Sequence, residues 1–324
     1  MPIISAEDFT PTKRFKNGHY NTFIPALFYW SPDVQYRRQR YETPDDDFLD
    51  VDFLEGGHSR AIYLLHGLEG NSESGYMLHF ADYFARQGYD IICPIYRSCS
   101  GEMNRQLRMY NSGTTDDVDF IIKQTCDAYD EIHLAGFSLG GNLTLKYLGE
   151  RAYVLPEQLK SGISISAPVD LSNASQELLK PQNFAYQLRF LSTLHRKAIA
   201  KKKQYPNELD ISMLWRTYNL YQYDDRITAQ LYGYKDAEDY YAQNASLQYL
   251  ESLERPAILI NAADDPFLGD NCYPTDIARS SSELFFCHPD HGGHVGFAAD
   301  QKDRSWVLDK AKFFLDEVVS QVWI

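Results

Sequence analysis

Apolar positions along the chain first come as two extended stretches and then as short, dense runs. Residues 36–43 and 48–54 flank Pro44-Asp45-Asp46-Asp47, a turn composition, and predict a β-hairpin. The runs that follow are 60–66 (RAIYLLH), 89–95, 131–137, 162–166, 256–262 and 283–287. Their length and their bounding turn residues predict strands buried on both faces. Between them the spacing changes to threes and fours. Residues 74–86 set Met77, Phe80, Ala81 and Phe84 on one helical face and stop at Gly88. Residues 114–129 open with Thr114-Thr115-Asp116-Asp117, which supplies a cap and an acidic partner for the helix dipole. Residues 139–149 and about 304–322 read as two further helices.

Strands alternating with helices predict an α/β fold, a mainly parallel twisted sheet flanked by helices on both faces. The alternation breaks near Leu171 and resumes at Pro256. Residues 172–253 carry no clear strand pattern and hold ten of the 24 tyrosines. They predict a helical insertion, so that 1–171 and 254–324 form the core domain and 172–253 a lid over the carboxyl ends of the strands. There is no internal repeat, and no run of about 18 apolar residues that would span a membrane. The opening residues lack a basic-then-apolar signal segment, so a cytoplasmic protein is the expectation.

Charge narrows the partners. The net charge of −14 opposes a phosphate backbone, and no nucleic acid is expected. Five cysteines without a C-x-x-C suggest neither a disulfide framework nor a zinc ribbon, and fit a reducing compartment. Cys99 reads as a loop or packing residue, since no thiolate-forming partner is visible. The basic run Arg196 to Lys203 has two readings, a weak peripheral contact with an anionic membrane surface or a solvated helix face. Phe190, Leu191, Leu194 and Ala198 on the opposite face favour the second.

The candidate chemistry centres on Gly136-Phe137-Ser138-Leu139-Gly140. By composition alone such a G-x-S-x-G arises in roughly one chain in ten of this length, so its surroundings must carry the case. Here a strand precedes it and a helix follows, the context of a sharp nucleophile turn. A serine hydroxyl needs a base, an acid that orients the base, and donors for an oxyanion. Leu139, the first residue of the helix, is the expected first oxyanion-hole amide. His66-Gly67-Leu68-Glu69-Gly70 ends an earlier strand, and the Leu68 amide is the expected second donor. The acid belongs after a later strand, where Asp264 and Asp265 both stand; Pro266 favours Asp265. The base belongs after the last strand, where His288, His291 and His294 stand, and Gly292-Gly293 lets His294 turn back towards the serine. The three histidines match no helical metal-ligand pair, and no metal or organic cofactor is expected. His291 is expected to bond within its loop, and His66 to support the oxyanion loop.

LAGFSLGGNLTLKYLGE, HGLEGNSES, YRSCSGEMNRQLRMYNSG, NAADDPF and HGGHVGF resemble the YheT/ABHD2-type branch of the α/β-hydrolase superfamily, from about Phe9 onwards. The resemblance implies a triad of Ser138, Asp265 and His294, and an ester or acylglycerol hydrolase, with acyltransferases among similar members. Ser98 departs from the pattern, which has Gly there. The expected substrate is a small acyl ester of short or medium chain, because Trp215, Phe184, Phe190 and the tyrosines of 172–253 can line an apolar slot. The alternatives are acyl transfer by the same triad and a hydrolase fold that only binds a ligand.

Overall fold

The computed structural model describes residues 2–28, 31–301 and 305–322. In chain order it begins with β1 (Ile3–Ile4), α1 (Gly18–Phe28), β2 (Arg37–Glu42), β3 (Phe48–Leu54) and β4 (Arg60–Leu65). Then come α2 (Gly75–Ala85), β5 (Asp90–Ile95), α3 (Thr115–Thr125), β6 (Glu131–Phe137), α4 (Leu139–Glu150) and β7 (Leu159–Ile165). The chain next makes a helical excursion of α5 (Leu171–Leu178), α6 (Phe184–Gln204), α7 (Leu220–Tyr223), α8 (Ala229–Tyr232) and α9 (Ala237–Asn244). It ends with β8 (Ala257–Ile260), α10 (Thr275–Ser280), β9 (Leu284–Cys287) and α11 (Trp306–Phe313).

The nine strands form one sheet in the order β1-β9-β8-β7-β6-β4-β5-β3-β2. Pairings from β1 to β5 along this order are parallel; β3 and β2 join antiparallel at one edge. Alternate side chains of each central strand enter two different cores. Ala61, Tyr63 and Leu65 pack with residues of α3 and α4 on one face. Ile62 and Leu64 pack with Met77, Phe80 and Phe84 of α2 and Leu308 of α11 on the other. Each large apolar side chain so buried contributes about 1.5–3 kcal/mol, which is why these strands read as unbroken apolar runs. Leu191, Leu194, Leu220 and Tyr223 of the excursion join the first core, so the excursion packs onto that face.

Every strand run read from the sequence is a strand, although β7 starts earlier than its apolar part, at Leu159. The last helix was expected from about Arg304, which lies outside the described residues; α11 starts at Trp306. Three elements carried no readable pattern: β1, α1 and α10. No described helix is long and apolar enough to cross a membrane. The basic run is not one solvated face, contrary to expectation. Lys201 is fully buried and donates to the Asn104 and Gln106 carbonyls at 2.7 and 2.5 Å. Lys197 pairs with Glu69 at 2.7 Å. A long aliphatic stem lets a lysine cross an apolar face and still reach a buried acceptor, and charge alone does not reveal that.

Candidate active site

The turn between β6 and α4 is set by sterics. Ser138 sits at φ 54° and ψ −117°, in a region L-residues rarely adopt. A Cβ on Gly136 would lie 2.0 Å from the Gly140 carbonyl oxygen, and one on Gly140 would lie 2.3 Å from that of Leu65. Both flanks therefore admit only glycine. The turn stands Ser138 at the positive end of α4, which favours negative charge nearby.

The structure brings Ser138, His294 and Asp265 together from three strand ends. The Ser138 hydroxyl is 2.9 Å from His294 Nε2. His294 Nδ1 is 2.9 and 3.1 Å from the two Asp265 carboxylate oxygens. With Nδ1–H donating to the carboxylate, Nε2 is left to accept the serine proton. The Asp265 side chain has no exposed surface and accepts a further bond from the Phe267 amide at 2.9 Å. The Phe267 ring stacks on the imidazole with centroids 4.1 Å apart.

Asp264 does something different. Its carboxylate accepts from the Gly293 amide at 2.8 Å and meets His291 Nδ1 at 3.3 Å. It is thus a clamp on the His294 loop, and burial pushes its carboxyl up despite those bonds. His288 stacks between Tyr273 and Phe286. Among the described residues no cluster could hold a metal ion.

Leu68 and Leu139 line the same cavity as Ser138. Neither residue's amide has a backbone acceptor outside its own helix or strand among the described residues. The peptides around Leu68 are pinned: Gly67 N–H donates to Tyr76 Oη at 2.8 Å, and Glu69 N–H to Tyr110 Oη at 2.9 Å. Tyr110 Oη–H in turn donates to Glu69 Oε1 at 2.7 Å, closing a ring that Lys197 caps from α6. His66 stands behind this loop. Its Nδ1–H donates to the Gly67 carbonyl at 2.8 Å and its Nε2 accepts from Tyr96 N–H at 3.2 Å. Burial holds it neutral, with a pKa lowered to about 3.

Sequence reading missed three supports of the histidine loop. The His294 amide donates to Thr22 Oγ1 of α1 at 2.8 Å, and the Val295 amide to Ser166 Oγ beyond β7 at 2.9 Å. Asn21 grips the Ala298 amide and carbonyl at 3.0 and 3.1 Å. Left-handed backbone gathers here, at Ser138, Ser166, Val295, Phe297 and Glu69. Such residues cost on the order of 1–3 kcal/mol each and persist only where neighbours hold them. Ser98 also has a positive φ, of 65°, so the loop keeps the conformation that a glycine would take. Its Oγ donates to Asn104 Oδ1 at 2.6 Å.

A cavity of about 130 Å³ opens over Ser138 and His294. Leu68, Leu139 and Phe267 line it from the core domain, and Leu171, Phe190 and Leu194 from the excursion.

A family model described as alpha/beta hydrolase fold matches residues 60–300. The chain is 32% identical over 301 residues to "Putative esterase YheT" of Escherichia coli (strain K12), which covers 90% of this chain and 88% of that one. It is 26% identical over 308 residues to "Phospholipase ABHD3" of Homo sapiens, covering 91% of this chain and 75% of that one. "Monoacylglycerol lipase ABHD2" of Homo sapiens is 26% identical over 323 residues, with 91% and 75% covered. Among solved structures, an esterase of Pyrococcus furiosus superposes with a TM-score of 0.55 at 14% identity over 89% of this chain and 95% of that one. Alpha/beta hydrolase domain-containing protein 10 from mouse gives 0.56 at 14% identity over 88% and 99%. At such identity these two likenesses speak for the fold alone.

Proposed function

The chain belongs to the alpha/beta hydrolase fold family, in the branch of YheT and the ABHD proteins, and from that premise we propose a serine-dependent hydrolase of short- to medium-chain acyl esters. Its relatives by name are an esterase, a phospholipase and a monoacylglycerol lipase, which supports ester hydrolysis as the reaction class. The observation that carries serine dependence is the continuous hydrogen-bond chain from Asp265 through His294 to Ser138, with 2.9 Å at its serine end.

The Ser138 hydroxyl attacks the ester carbonyl carbon as His294 Nε2 takes its proton. Asp265 orients the ring and stabilises its charged form. The Leu139 and Leu68 amides hold the oxyanion. His294 then gives the proton to the departing alkoxide, which leaves as the alcohol. Water, deprotonated by the same nitrogen, attacks the acyl-serine; His294 returns that proton to the departing Ser138 oxygen, and the carboxylic acid is released. Residues 172–253 act as the lid, and the apolar wall they supply favours an acyl chain of modest length.

The test is labelling by a fluorophosphonate together with turnover of p-nitrophenyl butyrate. Wild-type protein reacts with the label, and Ser138→Ala does not. The substitution lowers turnover by up to about a million-fold. Wild-type rates in folded Ser138→Ala protein would remove Ser138 from the mechanism. Across p-nitrophenyl esters of rising length, kcat/KM peaks at short or medium chains; a peak at long chains would contradict the size assignment.

A further inference from the structure

The cavity over Ser138 is largely apolar, yet one wall carries an anion. Asp224 opens a π-helical turn, Asp224–Thr228, between α7 and α8, and faces the cavity. Such turns recur at functional sites. Its Oδ1 accepts from Thr228 Oγ1 and its Oδ2 from Tyr241 Oη, each at 2.7 Å. A carboxylate oxygen accepts two bonds, so each retains room for another donor. Among the described residues no cation lies within 4.0 Å of Asp224 in an ion pair. Lys197, which also lines the cavity, is held by Glu69 at 2.7 Å.

An uncompensated carboxylate in an apolar setting is costly. Burial raises the Asp224 carboxyl to about 6, so near neutral pH it still carries most of its charge. A neutral asparagine could accept from one of the two hydroxyls and donate to the other, since a hydroxyl can also accept, so packing alone does not call for an anion. The surroundings suit a cation. The rings of Tyr223, Tyr240 and Tyr241 also line the cavity, and the Asp224 charge adds to the burial that holds their phenols protonated. Tyr232 lines it too, and its buried hydroxyl has no hydrogen-bond partner.

We propose that Asp224 and these tyrosines form a subsite for a primary ammonium group on an arm of the ester substrate, an inference that rests on the hydrolase reading. A primary ammonium supplies both the missing charge and the missing donors. A quaternary ammonium supplies charge alone.

The experiment compares hexylammonium, hexyltrimethylammonium and hexanol as competitive inhibitors of p-nitrophenyl butyrate hydrolysis. Hexylammonium is expected to bind roughly tenfold or more tightly than hexanol, the scale of one charge-assisted hydrogen bond. Asp224→Asn is expected to abolish that preference. Equal inhibition by hexylammonium and hexanol in the wild type would overturn the proposal whether or not the variant folds. So would a preference that survives Asp224→Asn, or tighter binding of the trimethyl compound. Titration calorimetry of the same three probes on Ser138→Ala protein reads the subsite without turnover. A protein that binds hexylammonium through Asp224 but hydrolyses no ester would sink the hydrolase reading and leave the subsite standing.

Discussion

Asp264 and Asp265 are neighbours in the chain, and their carboxylates do different things. Asp265 meets the His294 imidazole, whereas Asp264 holds the Gly293 amide. Asp265→Asn is therefore expected to lower kcat by about 10⁴-fold, because an amide donor there favours the wrong imidazole tautomer. Asp264→Asn keeps an acceptor for Gly293 and is expected to stay within about tenfold of wild type. Measuring both variants side by side with p-nitrophenyl butyrate separates them; equal losses would contradict the division. Tyr76 makes a subtler case. Its hydroxyl is the acceptor of the Gly67 amide, next to the proposed Leu68 donor. Tyr76→Phe is expected to lower kcat about ten- to a hundred-fold with little change in KM, since it loosens the peptide next to the amide proposed to hold the oxyanion. The fluorophosphonate rate should fall in parallel. The nucleophile turn and its ordered partners were legible because each sits in a motif whose shape demands it. Tyr76, Thr22 and Ser166 were not, because each acts through one hydrogen bond made possible only by folding.

At the scale of elements, the strands were legible to within a few residues because burial on both faces leaves an unbroken apolar signature. The first helix was not. α1 holds Pro25 in its interior, has no acidic first turn, and leaves Phe23, Leu27 and Phe28 exposed. Its purpose is tertiary. Gly18 and Gly296 press so closely on Asp264 and Asn21 that a Cβ would lie 1.8 and 1.9 Å from those residues' carbonyl oxygens. Thr22→Val leaves the His294 amide without its acceptor and is expected to cost about 1–3 kcal/mol. Turnover should fall while the circular-dichroism spectrum stays that of the wild type; unchanged turnover would deny α1 a part in holding the histidine. A second junction lies at the other side of the sheet. Arg97, almost fully buried beyond β5, binds Asp45 and Asp47 of the hairpin turn and Asp117 of α3, at 2.9, 2.7 and 2.7 Å. Arg97→Ala strands two buried carboxylates, and a loss of about 3–5 kcal/mol is expected in urea unfolding.

For the whole molecule, that junction also sets a dependence on acid. Burial works against the ionised form of Asp45, but bonds from Thr43 and Arg97 and the charges of Arg97 and Arg108 outweigh it and bring its pKa from 3.8 to about 2. The unfolded chain then takes up the proton first. The contribution of Asp45 is full above about pH 4 and fades as pH falls towards 2. Between about pH 5 and pH 3, wild-type protein should lose more stability than Asp45→Asn; equal losses would count against this role. The embrace of Thr22 and the histidine loop spans more than 270 positions of sequence. On the ribosome, then, a polypeptide complete through its serine turn still lacks β7, β8, β9 and both Asp265 and His294. The proposed nucleophile gains its base only when the loop that carries His294 docks against α1.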